Sequence, residues 1–255
     1  MMKCIDNMRL HRFYIEKKLV SLQSPYLDGR QLMVRVDDEG LLHQMRDVFR
    51  LTKGDEVIFF DGEGMDITFR IEMLSKKEGI FVKEKEERSL EQRNTRHSSI
   101  TLLMALIKKD NFELVLQKCT ELGVSRFVPI LAERSEKKNL DMERAKRIIK
   151  EASEQCGRGD IPGLREVMSL EKALQEFDNI LVFDLRGESL PASEFVSLQA
   201  NQLASSPAIL IGSEGGWSDR ELALFKDKNI PIYSLGELTL RAETAAIVTS
   251  SLALF

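Results

Sequence analysis

Two regimes of hydrophobic patterning divide this chain. Up to residue 85 the apolar positions fall in short runs: RLHRFYI (9–15), QLMVRV (31–36), EVIFFD (55–60), MDITFRIEML (65–74) and GIFVKEK (79–85). Runs of this length, rich in Val, Ile and Phe and bounded by polar or glycine-containing stretches, predict β-strands. Asp61-Gly62-Glu63-Gly64 joins two of them, and Asp-Gly is a strong hairpin signal because both positions tolerate positive φ. The pattern predicts a small β-barrel or sandwich.

The stretch KEKEERSLEQRNTRH (83–97) carries charge without apolar periodicity, as a linker does, and puts a domain boundary near residue 94. From Ser98 onward, apolar runs alternate with amphipathic segments, the signature of an α/β domain with a largely parallel sheet. The strands are SITLLMALI (99–107), RFVPIL (126–131), NILVFDL (179–185), PAILIG (207–212) and PIYSLG (231–236). Continuous apolar runs imply burial on both faces. Asp110 with Glu113 resembles a capping box opening a helix that Gly123 ends, and Ser218 with Glu221 forms another. Met142, Ala145, Ile148, Ile149 and Ala152 recur at helical spacing up to Gly157, and a last helix starts near Glu243.

Composition narrows the chemistry. Apolar residues make up 43% of the 255, enough for a real core, and no run approaches the roughly 20 residues of a membrane span. With no apolar leader at its start, the chain is expected to be cytoplasmic. Cys4, Cys119 and Cys156 are far apart and form no C-x-x-C, and His11, His43 and His97 are isolated. Neither a disulfide framework nor a metal site is expected. The net charge of −4 does not mark a nucleic-acid protein, although Arg9, Arg12, Arg30, Arg35, Arg46 and Arg50 bias the first fifty residues toward arginine. In a regular strand Arg9 and Arg12 point to opposite faces.

Candidate chemistry lies in three loops, each following a strand and each with a glycine near its start. They are Asp184-Leu185-Arg186-Gly187, Gly212-Ser213-Glu214-Gly215-Gly216 and Gly236-Glu237-Leu238-Thr239-Leu240. In open α/β sheets ligands sit beyond the carboxyl ends of strands, so these loops can line one pocket with bared backbone groups. There is no G-x-G-x-x-G after a strand, no phosphate loop, no G-x-S-x-G, and no histidine after His97 to act as a base.

The strings I-G-S-E-G-G-W-S-x-x-E (211–221) and L-G-E-L-T-L-R-A-E-T-A (235–245) resemble the two signature motifs of the RsmE-type 16S ribosomal RNA (uridine-N3)-methyltransferases, a SPOUT family. Further matches run along nearly the whole chain: Met8-Arg9 with Arg12-Phe13, His43 with Arg50 and Gly54-Asp55, Lys118 with Glu121-Leu122-Gly123-Val124, Arg134-Ser135, and Glu154-Gln155 with Arg158. Two positions depart from it. Ser213 stands where the family usually has proline, and Ala242 where it usually has threonine.

The resemblance implies a PUA-like RNA-binding β-barrel over residues 1–93 and a SPOUT α/β domain with a C-terminal trefoil knot over 94–255, working as a homodimer. It implies S-adenosylmethionine as cofactor, held by Leu185, Gly212, Gly215, Gly216, Leu235, Gly236 and Leu240. Glu214 and Arg241 are the expected catalytic pair, and Arg9 and Arg12 the expected RNA contacts. The implied substrate is a uridine in the decoding region of 16S rRNA within the 30S subunit. Alternatives are another rRNA or tRNA nucleotide, or a ribosome-assembly protein without turnover. Trp217 is expected to pack as core beneath its loop.

Overall fold

The computed structural model describes residues 10–16, 32–88, 100–189 and 207–254. The boundary expected near residue 94 lies outside them. Two compact units are present: Met1–Thr95 with Ser153–Asp160, and Arg96–Ala152 with Ile161–Phe255.

The first unit holds five strands, β1 (His11–Tyr14), β2 (Met33–Val36), β3 (Glu56–Phe60), β4 (Met65–Leu74) and β5 (Gly79–Arg88). They form a sheet in the order β1-β3-β4-β5-β2, with β1 parallel to β3 and the other pairs antiparallel. Gly62 and Gly64 take positive φ (81° and 94°) in the β3–β4 hairpin, and Asp61 Oδ1 accepts from Glu63 N at 2.8 Å. Phe13, Val57, Phe59, Ile67, Phe69, Ile71 and Phe81 pack together on one face with Leu42 and Met45. Those last two come from a short helix, α1 (Glu39–His43), and the π-helical turn Gln44–Val48 that continues it. Asp38 caps α1 by accepting from Leu41 N. Neither turn shows in the sequence, because five residues are too few to display helical periodicity.

The second unit is a parallel sheet of β6 (Thr101–Ala105), β7 (Arg126–Leu131), β8 (Gly163–Leu164), β9 (Met168–Ser169), β10 (Ile180–Ser189), β11 (Ala208–Ile211) and β12 (Ile232–Ser234). Its order is β12-β10-β11-β6-β7-β8, with β9 also pairing β7. Successive side chains of each central strand enter different cores. Leu102, Met104, Leu181, Phe183, Ile209 and Ile211 meet α2 (Lys109–Leu122), α3 (Met142–Cys156) and α6 (Ala242–Leu254). Leu103, Ala105, Val182 and Leu210 meet α4 (Leu170–Glu176) and α5 (Asp219–Asp227). Helices on both faces explain the unbroken apolar runs of these strands.

Helix ends follow their sequence signals with one exception. Gly123 closes α2 at φ 113°, and the Ser218–Glu221 capping box opens α5 with both reciprocal bonds formed. The box expected at Asp110 and Glu113 does not form. Helix α2 starts one residue before Asp110, Glu113 turns instead to an ion pair with Arg144, and the cap residue Lys108 makes no side-chain bond. An arginine on a neighbouring helix competed successfully for the carboxylate, which local spacing cannot reveal.

Candidate active site

The ends of β10, β11 and β12 meet at a cleft of about 810 Å³ in the second unit. Strand β10 leaves its ladder with β12 after Phe183 and rejoins it at Glu188, so Asp184–Gly187 bulge outward as the first wall. Gly187 sits where a Cβ would lie 2.5 Å from the Tyr233 carbonyl carbon and 2.7 Å from Ile232 O, so the first and third loops are locked by backbone contact. In the second loop Gly216 takes φ 65° and its N–H donates to Ser213 O at 2.8 Å, closing a tight turn. Gly236 takes φ 127° in the third, where the Ser234 hydroxyl donates to Gly236 O at 2.9 Å.

Arg186 ties the first two loops together. Its guanidinium donates to Asp184 Oδ1 at 2.9 Å, to Trp217 O at 2.8 Å and to Asp219 Oδ1 at 3.3 Å. Burial pushes the Asp184 carboxyl up, but the hydrogen bonds and charge of Arg186 outweigh it and hold the group below its ordinary value. Trp217 is fully buried, meets Phe225 edge to face at 5.2 Å, and donates from Nε1 to Phe183 O at 3.4 Å. A Cβ on Gly212 would lie 3.1 Å from its ring, so the indole is the floor under the second loop.

Leu185, Gly212, Glu214, Gly215, Gly216, Leu235, Gly236, Leu240 and Arg241 all line this one cleft. Glu214 is exposed, and its Oε1 accepts from Lys108 N at 2.9 Å, supplying the N-terminus of α2 with the acceptor that its own residues lack. The RNA-contact expectations fare differently. Arg9 lies outside the described residues. The Arg12 side chain is only 8% exposed: it pairs with Asp66 at 2.6 Å, donates to Arg158 O at 3.0 Å and lies over the Phe60 ring. The guanidinium is thus engaged within the first unit, between Asp66 and the Arg158 carbonyl.

Sequence reasoning missed several cleft residues. Ser213 and Glu243 are 5% and 6% exposed, both line the cleft, and Ser213 Oγ and Glu243 Oε2 lack hydrogen-bond partners among the described residues. The Ser213 departure was visible, but an orphaned hydroxyl is a tertiary property. Lys108 and Asn111, outside the three expected loops, also line the cleft. Among the described residues no group of three or more His, Cys, Asp and Glu is arranged to hold a metal, and no helix is long and apolar enough to cross a membrane.

A parallel sheet with three backbone-walled loops gathered at its carboxyl edge defines an α/β ligand-binding protein, one that cradles its ligand without a phosphate loop. An RNA methyltransferase domain family model matches residues 94–254. A Ribosomal RNA small subunit methyltransferase E from Bacillus subtilis is 31% identical over 227 residues, covering 82% of this chain and 85% of that protein. One from Rickettsia conorii is 27% identical over 94% of this chain and 93% of its own length. Among solved structures, a Legionella pneumophila methyltransferase in complex with the bound cofactor SAM superposes with TM-score 0.77 at 27% identity, covering 96% of this chain and 97% of that one. The chain belongs to the RNA methyltransferase domain family, alongside the Ribosomal RNA small subunit methyltransferase E proteins.

Proposed function

We propose that this chain is an S-adenosylmethionine-dependent methyltransferase acting on N3 of a uridine in small-subunit (16S) ribosomal RNA. One observation carries the reading: three glycine loops converge on a single cleft in a chain whose relatives are named Ribosomal RNA small subunit methyltransferase E and whose Legionella counterpart holds SAM.

The cleft suits that cofactor. Gly212, Gly215, Gly216 and Gly236 bare backbone groups for an adenine edge and a ribose, while Leu185, Leu235 and Leu240 supply apolar wall. Buried polar groups in native proteins are almost always satisfied, so the orphaned Ser213 Oγ and Glu243 Oε2 fit a ligand that offers hydroxyl and ammonium groups. When bound, the cofactor supplies a methyl group already activated by its sulfonium. The chain then has to align the nucleophile and manage its proton. Because N3 lies on the Watson–Crick edge, the base enters unpaired or flipped. Glu214, steadied through Oε1 by Lys108 N–H, keeps a second oxygen to accept the N3 proton, and Arg241 offsets the negative charge developing on the base.

The same reading takes the first unit as a PUA-like RNA-binding module that uses Arg9, the second as a knotted SPOUT domain, the working form as a homodimer, and the target as a decoding-region uridine. Helix α6 supports the dimer, because its large apolar side chains Ile247, Val248 and Leu252 are only half-buried. Sedimentation at micromolar concentration tests it, with a monomer as the refuting result.

The decisive experiment incubates the protein with labelled S-adenosylmethionine and 30S subunits and maps the modified nucleotide. Label in N3-methyluridine is expected. Cofactor binding without transfer would point to an assembly protein, and no calorimetric heat with the cofactor would end the reading. Glu214→Gln is expected to keep cofactor affinity and lower kcat about 100-fold, the lower range for a general base.

A further inference from the structure

Three cations from three separate segments stand at the cleft or on the wall of its second glycine loop, and among the described residues none of their side chains has a carboxylate partner. Lys108 lines the cleft at the start of α2, with its own N–H held by Glu214. Arg134, on the exposed loop after β7, lies along Gly215: Nη1 donates to Gly215 O at 2.9 Å, and a Cβ on that glycine would meet the Arg134 Cβ at 3.1 Å. Arg241 lines the cleft from the turn before α6. All three residues are exposed.

The nearby acids are mostly spent elsewhere. Asp184 and Asp219 are engaged by Arg186, Glu133 by Arg220, and Glu221 is buried, accepting from Glu133 N and Ser218 N. Glu214 caps α2, which leaves the exposed Glu237 in the third loop and the buried, cleft-lining Glu243 at the start of α6 as the uncommitted acids. Arg134 uses one of its five N–H donors on Gly215 O, so most of its planar fork faces outward. A cation anchored by backbone to the cleft wall, with its remaining donors free, suits an oxyanion brought alongside the target base.

We propose that Lys108 and Arg134, with Arg241 at the start of α6, form a phosphate-binding rim for the RNA strand flanking the methylated base. The second unit thereby carries an RNA contact of its own, in addition to any contact made by the first. The inference rests on the RNA methyltransferase reading.

The same chemistry would also suit the cofactor carboxylate, and salt dependence separates the two sources. Single-stranded RNA binding loses about 0.7 in the slope of log K against log salt for each phosphate contact removed. The K108Q/R134Q double variant is therefore expected to lower the slope for a 16S RNA fragment by about 1.4, with wild-type calorimetric affinity for S-adenosylmethionine. Arg134→Lys, which keeps the charge and gives up the fork, is expected to retain the wild-type slope.

An unchanged slope in K108Q/R134Q overturns the rim. So does a loss of slope in Arg134→Lys equal to that of Arg134→Gln, which would mark a structural role, or a cofactor affinity that falls while RNA binding holds, which would assign the cations to the cofactor. Wild-type protein is assayed in parallel for methyl transfer to 30S subunits. Failure there sinks the functional reading, whereas an active wild type with an unaltered variant slope sinks the rim alone.

Discussion

Gly187→Ala is the sharpest test of how the cleft is held together. The added methyl would lie 2.5 Å from the Tyr233 carbonyl carbon, 2.7 Å from Ile232 O and 2.7 Å from Tyr233 N. Ordinary contact begins at 3.4 Å, so the nearest shortfall is 3.4 − 2.5 = 0.9 Å. The obstacle is main chain of β12 and cannot rotate aside, so the first and third loops must part by nearly that amount. Overpacking of this kind costs about 1–3 kcal/mol, and about 2 kcal/mol lowers the melting temperature of a domain this size by about 4–8 °C.

The functional effect should be larger, because positional errors near 1 Å at a binding constellation cost about 100-fold. Scanning fluorimetry and calorimetric titration with S-adenosylmethionine measure both effects. Gly54→Ala is the control: its φ is 97° and its Cβ would meet nothing, so it carries backbone strain in the first unit and should leave cofactor affinity intact. A Gly187→Ala protein that melts with wild type and binds cofactor at wild-type affinity would refute the argument that backbone contact sets the loop spacing.

Three other outcomes follow from the same geometry. Ser218→Ala removes half of the α5 capping box and should cost about 1 kcal/mol in urea unfolding, with m unchanged. Cys119 is buried, with burial pushing its thiol up to about 12 against a hydrogen bond with Ser250, so iodoacetamide at pH 8 should label half-buried Cys156 first and Cys119 only after denaturation. Asp184 is held below its ordinary value in the folded chain, so its stabilisation is present at neutral pH and lost as pH falls through that lowered folded value. Asp184→Asn should therefore melt lower than wild type at pH 7, and the gap should narrow on acidification below the ordinary carboxylate range. A gap that widens on acidification would reverse the assigned sign.

The strands were legible because their cause is local. Runs such as EVIFF and AILI, bounded by turn residues, mark half- or fully buried strands, and every expected strand is observed, whereas the two-residue β8 and β9 are too short to leave a pattern. Gly123, Ser218 and Glu221 were legible for the same reason, since a cap is settled within four residues. Glu113 was misread because its partner, Arg144, is 31 residues away. The partners of Arg12, Asp66 and the carbonyl of Arg158, were hidden for the same reason, since they lie 54 and 146 residues along the chain.

The primary sequence by itself determined the composition of the site: glycines where backbone must be bare, leucines for wall, and one acid and one arginine beside them. Only the tertiary structure decided which of those groups meet, that Gly187 locks β10 to β12, that Glu214 caps a helix begun 106 residues earlier, and that Ser213 and Glu243 lie buried with unanswered polar atoms. The physical reason is range. Torsional preference and capping act over a few residues of chain, whereas exclusion, desolvation and hydrogen-bond competition depend on what packing brings within a few ångströms.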